Sequence, residues 1–523
     1  MNIQKSRIRI KDIIIPLFLF VSTIIISGLF STLGVDPHHD GIMLKPAMDV
    51  ASGNMLFKES FSQYNTVTTL LQTVSLLLFG KYLLTIRLLT AFFYGFIAVL
   101  LYALYKTILP KTLIFVTVIL WIFMAPYYIT SFLPWSAVYA IFFQLLTAYL
   151  FIQSYRGESD IMSAGAGITC ALIFWTRHAV GLQSIIFILF FFMYQVLFRI
   201  MPIPEIKRRF VSFMLGYLGV CTVFLFWLFT NHALNDWWLQ TFTYGYQIGS
   251  HFGDGYKVSH ILFVCLFPFT FNPGFINSTL IWILLPVSTL FLLVFYTFSV
   301  KNKRVSLKTF SVLVLVFIGL GSWMQYFPMM DYPHCYWAGT PMFGLLTYAI
   351  YLIVKTILAK LHIDKMPIAL YVTLCIVIAL FVPDISFRIN EGVKKLQEPY
   401  YSVTKPTALQ GMRFSQKDAQ FFTNVSEKID TYMNESPQHN VVTTYWDALY
   451  LTFNDQIRNF HPMYVNWSPS ILSIYPDYEM KLFEYIEKTK PLVITTIDTL
   501  PLGYCRLKDS SERNGVFLAL PCN

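Results

Sequence analysis

Runs of about twenty apolar residues recur from Ile13 to about Val382 and then stop, and no other feature limits the fold of this chain as strongly. In a hydrocarbon layer every backbone N–H and C=O must bond within the protein, so only helices and closed barrels cross it. Runs of this length suit helices, because a barrel strand needs only about ten residues of alternating polarity. Eleven spans are expected, at 13–33, 82–105, 112–128, 134–153, 162–176, 181–198, 210–230, 276–298, 309–326, 340–358 and 367–382. Composition agrees. Of 523 residues, 56% are hydrophobic and 13% charged, too little polar surface to cover a water-soluble body of that size. The first run is too long for a signal peptide and lacks a small-residue cleavage site, so it reads as a retained span. Two apolar stretches are too short to cross: 67–78, expected along the outer surface, and 260–271, an interfacial or re-entrant segment within the loop 231–275.

Charge then sets the orientation. One set of loops and span ends carries eighteen lysines and arginines, including Lys5, Arg7, Arg9 and Lys11 before the first span and Lys207, Arg208 and Arg209 at the seventh. The other set carries four, Lys45, Lys58, Arg177 and Lys257, leaving aside Lys81 and Arg87 at the head of the second span. Basic loops stay cytoplasmic, so the N-terminus is expected inside and the tail outside. The chain divides into a transmembrane part, 1–383, with a first outer loop at 34–81 holding juxtamembrane helices, and an extracytoplasmic α/β domain, 384–523. In that tail "SQKDAQFFTNVSEKIDTYM" reads as helix, and "NVVTT" and "PLVITTI" as strands. The net charge of +10 lies in short loops and forms no continuous basic face with interleaved aromatics, so nucleic acid is not an expected partner.

The seven cysteines include no CxxC pair, which argues against a zinc site. Cys505 and Cys522 lie in strand-like "YCRLK" and "VFLALPC" on either side of "DSSERNG". A hairpin turning near Arg513 and Asn514 brings them within bridging distance, an arrangement suited to an oxidising compartment.

Four unusual polar clusters fall on the outer side: "VDPHHDG" from Val35, "WTRHAVG" from Trp175, "FPMMDYPHCYW" from Phe327, and the loop "NHALNDWW…HFGDGYK". Each has a plain reading and a chemical one. Asp36 before Pro37 is an ordinary helix start. Asp40 has no obvious structural partner. Four residues apart on one helix face, the two carboxylates suit a raised pKa for general-base work, or a divalent cation such as Mg²⁺ or Mn²⁺. His38 and His39 either assist or are merely interfacial. Arg177, with His178, either snorkels to lipid phosphates or awaits a specific lipid-linked phosphate. Asp331 and His334 either order their loop through a local hydrogen bond or serve the reaction. Trp237, Trp238, Tyr244 and Tyr246 form an interfacial belt or stack on sugar rings.

These residues, in this order, resemble the GT-C superfamily of glycosyltransferases, which take sugar from a polyprenyl phosphate; protein O-mannosyltransferases and lipid A aminoarabinose transferases are members. The likeness runs from Ile13 to about Pro341. It comprises Asp40 (with Asp36) after the first span, "MDVASG" to Gly53, "YNTVTTLLQTVSLLLFG" from Tyr64, "RLLTAFFYG" from Arg87, "WTRHAVG", and "FPMMDYPHCYW". The chain departs from the family's usual Asp-Glu or Glu-His start with Asp-Pro-His-His-Asp. The resemblance implies a GT-C-like polytopic α-helical membrane protein of about eleven transmembrane helices. It implies inverting transfer of a sugar, a hexose here, from a polyprenyl phosphate, undecaprenyl in a bacterium, to an extracytoplasmic acceptor. O-antigen or another surface glycan is the expected acceptor, and the bacterial inner membrane the expected location. Asp40 or Asp36 is then the base. Arg177, His178 and His334 hold the donor phosphate. His39, Tyr64, Asp331 and Trp237 contact substrate. No metal is required, although a cation at Asp36 and Asp40 is admitted. Two rival readings are a lipid-linked glycan flippase, which would place charge near the bilayer midplane in two similar halves, and an O-antigen polymerase or ligase with a lipid diphosphate donor.

Overall fold

The computed structural model describes residues 11–251, 279–299, 305–323, 325, 332–363, 366–445, 447–459, 474–508 and 511–522. The segment 260–271, Asp254, Lys257 and Asp331 lie outside the described residues.

Each of the eleven apolar runs carries a helix. The first nine helices are α1 (Lys11–Ser31), α2 (His39–Ala51), α3 (Thr66–Phe79), α4 (Leu83–Tyr105), α5 (Lys111–Phe123), α6 (Ser136–Gly157), α7 (Asp160–Thr176), α8 (His178–Leu197) and α9 (Ile203–Thr230). The short α10 (Leu234–Trp238) and α11 (Tyr244–His251) follow. Further along are Thr279–Ser299, Leu307–Trp323, Phe343–Lys360 and Met366–Gln397. Among the described residues, eight helices are long and apolar enough to cross a membrane, and α5, α7 and Leu307–Trp323 are shorter apolar helices. The chain is a multi-pass helical membrane protein. The stretch expected along the outer surface is α3, whose Leu77, Leu78 and Phe79 are exposed at its C-terminal end. The last long helix runs to Gln397 through Pro383, past the boundary expected at 383.

The loop that follows the first apolar helix is fixed by one arginine of α4. The last carbonyls of a helix have no partner within it. Here Arg87 of α4 supplies one: its Nη1 donates to the carbonyls of Ser31 (3.1 Å), Leu33 (3.2 Å) and Gly34 (3.0 Å). The guanidinium is completely buried, so these bonds, with the carboxylate described below, make its burial tolerable.

The C-terminal part is a small α/β unit. Its four-stranded sheet has the order β3-β4-β6-β5, with β3 (Val441–Thr443), β4 (Leu492–Thr495), β5 (Tyr504–Arg506) and β6 (Phe517–Pro521), after a two-stranded ribbon of β1 (Tyr401–Ser402) and β2 (Arg413–Phe414). β3 and β4 pair in parallel, and β6 runs antiparallel to both of its neighbours. β5 and β6 form the expected hairpin. It turns at Asn514 and Gly515, both at positive φ, and a disulfide joins Cys505 to Cys522. The amphipathic helices Gln416–Glu435 and Tyr478–Thr489 supply Phe422, Val425, Ile429, Leu482 and Ile486 to the core over this sheet.

That core is continuous with α2. Ile42, Met43, Leu44, Ala47 and Met48 of α2 belong to the same buried cluster as Leu449, Leu451 and Phe421. Arg413 also clasps the end of α1, its N–H donating to Thr32 O (2.8 Å) and its carbonyl accepting from Gly34 N–H (2.8 Å). The polar unit is thus seated on the loop that follows the first span.

Candidate functional site

The site starts at the first turn of α2. Asp36 Oδ1 accepts the backbone N–H groups of His38 (3.1 Å) and His39 (2.9 Å), the cap its position before Pro37 suggests. Its second oxygen meets His39 Nδ1 at 2.7 Å. A carboxylate can only accept, so the ring nitrogen facing it carries the proton, and Asp36 holds the imidazole's tautomer and orientation. About a third of each side chain stays exposed, 33% for Asp36 and 38% for His39. Burial alone would raise the Asp36 carboxyl, but the hydrogen bond and charge of His39 outweigh it and hold the pKa at about 2.

Asp40 is placed differently from the sequence expectation. It is fully buried, Arg87 Nε and Nη2 donate to its two oxygens at 3.2 and 2.6 Å, and Asp36 N–H donates to Oδ2 at 2.9 Å. Its carboxylate is enclosed and already accepts three N–H groups, an arrangement that anchors the loop to α4. The two aspartates do lie together, but Asp40 faces inward to Arg87 and Asp36 outward to His39. Among the described residues no group of three or more histidines, cysteines, aspartates or glutamates is arranged to hold a metal ion.

Around His39 the aromatic residues of three segments converge on Trp135, which precedes α6 in "FLPWS". Trp135 lies 4.8 Å from the His39 ring, 5.5 Å from Tyr64, 6.4 Å from His334 and 6.0 Å from Trp337, centroid to centroid. His334 and Trp337, on the short helix Tyr332–Gly339, meet edge to face at 5.3 Å. Trp135 is 6% exposed, and among the described residues its indole N–H has no hydrogen-bond partner. A buried donor left unbonded costs free energy, roughly 1–3 kcal/mol.

Arg177 joins the group through Tyr64, its guanidinium carbon 5.8 Å from that ring's centre. It occupies the extended break between α7 and α8, at φ −148° and ψ 100°. The turn is tight enough that a side chain at Gly181 would strike the backbone of Phe174 at about 2.1 Å. The glycine of "WTRHAVG" therefore serves helix packing, and through it the placing of Arg177. His178 packs on Phe242 (5.5 Å), with its Nε2 beside Gly245. Trp237 departs from the expected sugar-stacking role: it is buried, its N–H donates to Asn65 Oδ1 (3.0 Å), and its ring stacks on Trp175. Asn65 also caps α3 and donates to Phe174 O, so Trp237 and Asn65 lock α3, α7 and α10 together.

Asp36, His39, Tyr64, Arg177 and His334 are thus brought together, and Trp135 at their centre was not among the sequence candidates. An aromatic beside proline at a span end reads as an interfacial anchor, and only its place on the outer side of the charge pattern hints otherwise. A cavity of about 1000 Å³ lies further along α2 against the C-terminal domain, with Lys45, Asp49, Asn54, Glu59, Asn454 and Asn459 in its wall.

No protein-family model and no curated protein matches this chain. Its structure is similar to that of ArnT from Cupriavidus metallidurans bound to undecaprenyl phosphate, at TM-score 0.55 and 10% identity over 96% of this chain and 97% of that one. The apo form of the same protein gives 0.57 and 11% over the same shares. An oligosaccharyltransferase from Archaeoglobus fulgidus, tethered to an acceptor peptide, gives 0.51 and 11% over 92% of this chain and 69% of that one. At these identities the likeness is one of fold, and the GT-C-like fold expected from the sequence is the fold found.

Proposed function

We propose that this chain is an integral membrane glycosyltransferase that moves a hexose, with inversion, from a polyprenyl phosphate to an extracytoplasmic glycan such as O-antigen. The observation that carries this reading is the gathering of a carboxylate–imidazole pair and an arginine around one buried aromatic hub. The fold is that of a protein whose structure holds undecaprenyl phosphate, and a lipid of that kind suits the arrangement. Its prenyl chain lies in the bilayer. Its phosphate meets Arg177, with His334 and the Trp135 N–H as further donors and His178 at the edge of the group. These groups stabilise the charge that grows on the departing phosphate.

On the acceptor side His39 takes the proton of the attacking hydroxyl, and Asp36 steadies the imidazolium that forms. A carboxyl with a pKa of about 2 is a weak base by itself, whereas an imidazole oriented by a carboxylate is a common general base. Tyr64 borders the sugar. Asp40 acts at one remove, fixing with Arg87 the loop that carries the pair. No step needs a metal, so transfer should survive chelation with EDTA. From His39 to Asp49 α2 rises by roughly 15 Å, which would let an extended glycan run from the reactive pair into the polar cleft. The setting is the bacterial inner membrane, N-terminus inside and C-terminal domain outside.

The test is substitution at the pair. Asp36→Asn and His39→Gln should each lower kcat by about 10²–10⁴-fold in protein that still folds and inserts. Full activity in both would refute the assignment.

A further inference from the structure

One buried carboxyl is unused by this scheme. Asp447 stands at the start of the short 3-10 helix Ala448–Thr452 of the C-terminal domain and is 8% exposed. Among the described residues no hydrogen bond or ion pair reaches it. An ionised carboxylate so buried and unpaired is costly, and the usual resolution is to keep its proton.

Its position is fixed by backbone contact with the reactive turn. Leu449 N–H donates to Pro37 O at 3.3 Å. A Cβ on Gly41 would sit 2.3 Å from Leu449 N, so the two backbones approach as closely as they do only because residue 41 has no side chain. The charged groups that bear on Asp447 are Asp36 and His39 from the α2 side, and Arg513 from the β5–β6 hairpin. Arg513 is engaged by Asp418 (2.6 Å), and Tyr450 neighbours Asp447 on its own turn. Burial, and after it the Asp36 charge, push Asp447 up to about 7, while Arg513 and His39 pull the other way. Asp447 therefore feels the Asp36 charge, and the two carboxyls shift in opposite directions: His39 lowers Asp36, and burial raises Asp447.

We propose that the C-terminal domain completes the reaction site by presenting the Asp447 carboxyl to the hydroxyls of an acceptor sugar held against the Asp36–His39 pair. This rests on the reading of the chain as a glycosyltransferase. A neutral carboxyl offers one O–H donor and one carbonyl acceptor side by side, which matches a sugar's adjacent hydroxyls. Once ionised it can only accept, and it repels Asp36. Acceptor binding should therefore weaken as pH rises through neutrality.

The test uses the full-length protein in nanodiscs, with oligosaccharide released from the host's own surface glycan as the probe, and reads binding rather than turnover. Wild-type affinity should fall about tenfold across neutrality, the worth of one hydrogen bond. Asp447→Asn, which keeps a donor and an acceptor, should hold the acid-side affinity throughout. Asp447→Ala should bind about tenfold more weakly at every pH. The proposal fails if the wild type does not bind the probe, if the Asn variant follows the wild-type pH dependence, or if the Ala variant binds as tightly as wild type. Undecaprenyl phosphate, titrated into the same samples, should bind every Asp447 variant equally, and a parallel loss there would overturn a role confined to the acceptor. Failure of the broader reading looks different: the wild type then transfers no sugar from any polyprenyl-phosphate donor, whatever stands at 447.

Discussion

Arg87 and Asp40 show how one buried ion pair decides where chemistry is placed. Asp40→Asn or Arg87→Leu leaves its partner buried and uncompensated, which should cost about 3–5 kcal/mol and appear as a lower Tm in detergent. A variant with unchanged Tm but no transfer would return Asp40 to the role of base. At Trp135 the Phe substitution keeps the ring and removes the N–H. The expected result is about tenfold weaker donor binding, one hydrogen bond's worth, with little change in Tm. Asp447 makes a prediction about stability as well. Its folded pKa of about 7 lies above the ordinary value near 3.9. Ionising it therefore costs the folded state, and that cost grows as pH rises from about 4 and levels off above about 7. Asp447→Asn lacks this cost, so its stability relative to wild type should improve across that window, by at most roughly 4 kcal/mol at ~1.4 kcal/mol per unit. An equal difference in Tm at both ends would contradict the pKa assignment. At this scale the sequence points to polar residues that interrupt apolar runs, and the fold brings four of them, Asp36, His39, Arg177 and His334, into one cluster. The sequence showed no partner for Asp40, whose partner lies 47 residues away on α4, and it was silent at Asp447, which only the folded chain brings to α2.

Elements were easier to read than contacts. Each apolar run became a helix because length and hydropathy decide that locally. The last one overran its expected end because the polar stretch after Val382 remains helical, with Asp384 and Arg388 on its buried side. The β5–β6 hairpin was legible from alternation around a turn-forming Asn-Gly, and its cysteines with it. Cys505→Ser should cost about 3 kcal/mol for a loop of this length, whose ends are 17 residues apart. Reductant should lower the wild-type Tm and leave that of the variant unchanged. Equal sensitivity in both would place the effect elsewhere. The seating of the C-terminal domain was not legible, since it depends on a backbone approach at Gly41. Gly41→Val should separate the 3-10 helix from α2, measurable as faster proteolysis of the C-terminal domain. Wild-type resistance in that variant would mean that the domain is held by other contacts.

At the scale of the molecule, residues distant in sequence gather at one end of a helical bundle, Asp36 after the first span and Arg177 between α7 and α8. Charge bias placed both on the same side, and the structure links them through His39, Trp135 and Tyr64, with successive separations between 2.7 and 5.8 Å. The central claim is that this cluster holds a lipid-linked phosphate while a glycan hydroxyl attacks the sugar it carries. The measurement closest to that claim is sugar transfer by the purified wild-type protein, and by Arg177→Ala, from undecaprenyl monophosphate and diphosphate donors to surface glycan. The account predicts transfer from the monophosphate, and a marked rise in donor KM when Arg177 is lost. Transfer from the diphosphate alone, or an unchanged donor KM in Arg177→Ala, would contradict it.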